Sequence, residues 1–75
     1  MSNIKNLPQS IVSIKVYSQY ALDIEKHVGT KADEITYCGD HATISWNANG
    51  GVEEWELEQK VRATGAGEPK VTELS

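Results

Sequence analysis

Phenylalanine is absent from this 75-residue chain, and its aromatic side chains number two tryptophans and three tyrosines. Cysteine occurs once, at Cys38, so no disulfide forms within the chain, and a lone thiol suits a reducing compartment. No segment approaches the roughly 20 consecutive apolar residues that a membrane span requires. Residues 1–6 lack the apolar run of a secretory signal, and the expected location is the cytoplasm. Basic residues are outnumbered, seven against eleven acidic ones, for a formal charge of −4. That balance argues against direct binding to a nucleic-acid backbone, which calls for a basic face. Paired cysteines, a glycine-rich phosphate loop and a nucleophile motif are also missing. No cofactor, no resident metal and no catalytic residue is therefore expected. At this length a single domain is the limit, and such a chain buries only about 60% of its unfolded surface.

What the chain does contain is a set of short alternating segments. Residues 10–17 are rich in β-branched side chains, with Val12, Ile14 and Val16 alternating with Ser13, Lys15 and Tyr17, a strand pattern. Residues 19–28 read as a helix. Ser18 can cap its start, Lys26 and His27 suit its last turn, and Gly29 stands where a left-handed residue ends a helix. A rival pattern runs through the same stretch. Ile14, Tyr17, Ala21, Ile24 and Val28 are spaced 3, 4, 3, 4, the stripe of one continuous helix.

Further on, Ile35 and Tyr37 alternate with Thr36 and Cys38, and Gly39-Asp40 offers a two-residue turn with glycine first. In residues 41–47, Ala42, Ile44 and Trp46 share one face. Asn49-Gly50 is a second hairpin signal, and residues 52–61 follow with Trp55, Leu57 and Val61 opposite Glu54, Glu56 and Glu58. Two-residue turns at both sites pair Tyr37 with Ala42, Ile35 with Ile44, Ile44 with Trp55 and Ala42 with Leu57, which gathers the apolar set on one side. Both tryptophans then belong under the helix, with Glu53 a misfit opposite Trp46. The expected fold is α+β: one helix packed on a three- or four-stranded antiparallel sheet, a meander. A single domain spans residues 1–63, loosely held over 1–9. Residues 64–75 form a mobile tail in which Val71 and Leu74 could dock or add a short strand.

In that fold Glu54, Glu56 and Glu58 form a row of carboxylates about 6.6–6.8 Å apart, close to twice the phosphate rise of about 3.4 Å per strand of duplex DNA. Such a row can imitate a nucleic-acid backbone, or it can serve as a solvated face that deters edge pairing. Tyr17 and Tyr20 are the candidate aromatic anchors of an interface. Together these five residues predict a partner-binding surface. The expected function is a small acidic, non-enzymatic inhibitor or adaptor, of a size and charge common among phage-encoded proteins. It would dock on a larger nucleic-acid-handling protein or complex. Two other classes stand beside it. One is a homodimeric domain whose free strand edge or helix completes the core. The other is a small metal protein or enzyme built on Cys38 and His41, which would face each other across the first turn, with Asp40 beside them and His27 the remaining histidine.

Overall fold

A computed structural model describes residues 9–74. The chain runs β1 (Gln9–Tyr17), a 3-10 turn (Ser18–Tyr20), α1 (Ala21–Val28), β2 (Glu34–Cys38), β3 (His41–Asn49), α2 (Val52–Ala63) and β4 (Lys70–Leu74). The strands form one antiparallel sheet in the order β2-β3-β1-β4. This β-α-β-β-α-β connectivity is that of ferredoxin-like sheets. The α+β arrangement expected from the sequence is therefore present, with α2 the longer helix and α1 the shorter.

The β-branched cluster prevails in β1. Its even-numbered residues Ser10, Val12, Ile14 and Val16 are buried while the odd ones are not, the period of a strand. The continuous helix suggested by the 3, 4, 3, 4 spacing does not form, because the chain changes conformation at the 3-10 turn. Helix α1 ends as the sequence predicts, with Gly29 at φ 82° donating to the Glu25 carbonyl at 3.1 Å. Ser18 does not cap it. Its hydroxyl donates instead to the Gly39 carbonyl at 3.0 Å and ties the start of the helix to the β2–β3 turn. That turn has the predicted register, pairing Tyr37 with Ala42 and Ile35 with Ile44, and Gly39 supplies the positive φ of 62°.

The second hairpin does not form. Residues 52–61 lie in helix α2, not in a strand. The glycine with positive φ is Gly51, at 79°, and neither Asn49 nor Gly50 enters that region, so a type I′ turn is absent. The physical reasons lie in the segment itself. Glu, Leu, Gln and Lys are strong helix formers. Glu53 and Glu54 in the first turn and Lys60 and Arg62 in the last complement the helix dipole, and Glu58 pairs with Arg62 one turn on at 3.2 Å. Glu53, a misfit on a strand, accepts the Asn49 amide at 2.9 Å as α2 begins.

Ile44 and Ala42 consequently pair with Ile14 and Val16 of β1, not with Trp55 and Leu57. The meander is replaced by a sheet whose central pair, β1 and β3, is joined across long sequence separation. Residues 70–74 of the expected tail form β4 on the free side of β1, with Val71 opposite Val12. The loosely held segment expected over 1–9 lies outside the described residues except for Gln9.

Both helices lie on one face of the sheet. The core between them holds Val12, Ile14 and Val16, then Ala42, Ile44, Trp46 and Ala48, with Ala21 and Val28 from α1 and Leu57 and Val61 from α2. One polar side chain is caught there. Ser10 is buried, and its hydroxyl has no hydrogen-bond partner among the described residues. An unsatisfied buried hydroxyl carries a desolvation penalty of about 1–3 kcal/mol. Ser10→Ala is thus expected to raise the unfolding free energy by about 1 kcal/mol, read from the urea midpoint. A lower midpoint would mean that the hydroxyl makes a bond that stabilises the fold.

Candidate functional site

The residues singled out from the sequence fall in two places. Tyr17, at the end of β1, stands opposite His41 and stacks on its ring, with centroids 4.6 Å apart and planes 27° apart. Tyr20 meets Tyr17 edge-on at 6.5 Å, the geometry favoured by aromatic quadrupoles. Both tyrosines stay about half exposed, at 55% and 48%. Strand alternation puts Tyr17 on the sheet face away from the helices, and the 3-10 turn brings Tyr20 around to it. Beside them an open cleft of about 390 Å³ runs between Lys15, Val16, Ile24 and Thr64.

Cys38 faces His41 across the first turn as the register predicts, and the His41 Nδ1 lies 2.8 Å from the Asp40 carboxylate. His41 is thus engaged on one side by a ring and on the other by a carboxylate. Among the described residues no group of three or more histidine, cysteine, aspartate or glutamate side chains is placed to hold a metal ion.

The carboxylates lie elsewhere, and helical geometry breaks their row. At about 100° per residue, Glu54 and Glu56 project to different sides of α2, and the regular spacing that suggested a phosphate mimic is gone. Glu58 is engaged by Arg62, which also reaches Glu68 at 3.2 Å. The Arg62 guanidinium is held above its ordinary value, first by the hydrogen bond to Glu68 and next, against the lowering effect of desolvation, by that to Glu58. Glu54 and Glu56 make no ion pair among the described residues. The first turn of α2 packs by Asn49, at one end of the sheet, while Thr64 just past its last turn lines the tyrosine cleft at the other. The glutamates and tyrosines therefore do not make one surface.

The tryptophans divide as well. Trp46 is fully buried and its indole donates to the Thr30 carbonyl at 2.8 Å. Trp55, placed in the core by the hairpin pattern, is 58% exposed, and Val52 one turn before it is 72% exposed. The helix turns Leu57 and Val61 inward, which leaves Trp55 on the outer side with Glu54 and Glu56 flanking it in sequence. The signal that could have found this face was the 3-residue spacing of Val52 and Trp55 against the 4-residue spacing of Leu57 and Val61, two separate stripes on one helix.

No helix among the described residues is long and apolar enough to cross a membrane. No protein family model, curated protein or solved structure matches the chain.

Proposed function

We propose that this protein is a small acidic, non-enzymatic binding module, an adaptor or inhibitor, that docks through the outer face of α2 on a basic protein surface. The observation that carries this is Trp55, with more than half its surface in water beside exposed Val52 and flanked in sequence by Glu54 and Glu56. A large exposed aromatic ringed by polar groups is the usual composition of an interface hot spot. The surrounding carboxylates select the partner's charge, because complementary potentials speed encounter and like charges repel. A second copy of this chain would bring the same acids against each other. Proteins that handle nucleic acids carry basic surfaces of the complementary kind, and that is the partner class we assign.

Two variants test this. Trp55→Ala and Glu56→Lys both alter exposed positions, so folding stability should move by no more than about 0.5 kcal/mol for each change. With a partner captured from cell lysate and then purified, Trp55→Ala is expected to weaken binding by about 2 kcal/mol, roughly 30-fold. The charge reversal should weaken it too and flatten its dependence on salt. If both variants bind like the original chain, α2 is not the contact.

A further inference from the structure

Strand β1 is only half covered on its β4 side. It pairs with β3 along its whole length, from Gln9 opposite Asn49 to Tyr17 opposite His41, but with β4 over residues 9–13 alone. The Ser18 amide donates to the Asp40 carbonyl at 2.8 Å, which continues the β3 register by one pair. Hydrogen-bonded pairs alternate in an antiparallel ladder. Ile14 and Val16 therefore direct their N–H and C=O groups to β3, as Ser18 does. Lys15 and Tyr17 direct theirs the other way, past the end of β4. Among the described residues neither makes a backbone hydrogen bond to the chain between α2 and β4.

The contrast with β3 is informative. There the amides of Asn47 and Asn49 lie beyond the end of β2, and each is taken up by a carboxylate. Asp33 accepts from Asn47 at 2.6 Å and Glu53 from Asn49 at 2.9 Å. Among the described residues the chain closes one partial edge with its own side chains and leaves the other open. That open edge borders the cleft of about 390 Å³ lined by Val16, Ile24, Thr64 and Ala66, and the Lys15 side chain makes no ion pair among the described residues.

We propose that this edge is a peptide-binding site, separate from α2, at which an extended segment of a partner protein adds antiparallel to residues 14–17 in line with β4. Two N–H and two C=O groups at the two-residue repeat of a strand, about 6.7 Å, are matched by extended backbone and by little else. Strand addition draws its affinity from those main-chain bonds and its selectivity from alternate side chains. The side chain opposite Val16 enters the cleft and is apolar. The side chain opposite Lys15 lies on the open face and is acidic, a cross-strand charge pair. The side chain opposite Tyr17 is aromatic or β-branched.

The probe is the blocked peptide acetyl-Tyr-Val-Glu-Val-amide, whose Tyr falls opposite Tyr17 and whose Glu falls opposite Lys15. With the full chain it should bind with a dissociation constant below about 1 mM. It should slow hydrogen exchange at the Lys15 and Tyr17 amides and leave those of Ile14 and Val16, already bonded to β3, unchanged. Methylating the Glu and Tyr nitrogens of the peptide should weaken binding about tenfold or more, whereas methylating the two Val nitrogens, which point away from β1, should not. Lys15→Glu should weaken it about threefold. Three results would overturn the proposal: no binding by any of these peptides at millimolar concentration, equal loss from both methylation patterns, or sedimentation showing that a second copy already protects the Lys15 and Tyr17 amides.

Discussion

Replacing Trp46 by alanine is expected to lower the unfolding free energy by about 3–5 kcal/mol. Trp46 is the largest fully buried side chain, at the middle of the apolar row that β3 turns toward the helices. Its removal deletes the transfer free energy of an indole and leaves a cavity whose walls, Val12 directly opposite on β1 among them, are held by the sheet and collapse only in part. It also strands the Thr30 carbonyl, which accepts from the indole at 2.8 Å and holds the loop after α1 against the sheet. A domain of this size has about 4–11 kcal/mol in total, so the variant loses a large share of its stability. Trp46→Phe separates the two contributions. It retains most of the apolar volume, and its cost should be about 1–3 kcal/mol. Urea titrations followed by far-ultraviolet circular dichroism measure both. A loss below about 1 kcal/mol in Trp46→Ala would mean that the core does not depend on this ring.

The same residue marks how far the sequence could be read. Alternation along 41–47 placed Trp46, Ile44 and Ala42 on one buried face, and Gly39 set their pairing with Tyr37 and Ile35, because a two-residue turn leaves only one register. Those are local signals. The partner on the other side of β3 is β1, with the predicted 19–28 helix and β2 between them in the chain, and no local pattern announces such a pairing. The segment after β3 was the nearest candidate, and its interleaved glutamates supplied a plausible alternation. Yet Leu57 and Val61 are also one helical turn apart, and with so few apolar residues the two periods are hard to separate. Asn49-Gly50 misled for a related reason. The reversal requires one glycine at positive φ, and Gly51, one residue later, supplies it while starting a helix.

The candidate site followed the same division. Tyr17 and Tyr20 emerge exposed and in contact because β1 was legible from its β-branching and the helix that follows it from Gly29 at its end. The carboxylate row rested on the strand at 52–61 and vanishes with it, and Trp55 changes sides. The open edge of β1 was not legible at all. It exists only because β4 stops at Lys70, a long-range fact with no signature in the composition of either strand.

Proline at Glu56 should distinguish the two conformations of residues 52–61 directly, and its expected cost is about 3 kcal/mol or more. Glu56 is exposed and, as the fifth residue of α2, lies in the helix interior. Its side chain engages no ion pair among the described residues, so the damage is confined to the backbone. Proline there removes the N–H that bonds to the carbonyl four residues earlier, and its ring collides with that carbonyl. Breaking α2 at this point also loosens Leu57 and Val61, which anchor the helix on β1 and β3. Two companions sharpen the result. Glu56→Ala, which keeps the amide, should change stability by no more than about 0.5 kcal/mol. Val52→Pro should cost far less than Glu56→Pro, since Val52 is the first helical residue and proline is tolerated in that position. Were residues 52–61 an outer strand, proline would cost little wherever the amide faced solvent, and Glu56 and Val52 would not separate in this way. Thermal and urea unfolding of the three variants, with helical ellipticity at 222 nm as the signal, decides it. Equal tolerance of proline at both positions would remove the helix, and with it the outward Trp55 on which the proposed docking face depends.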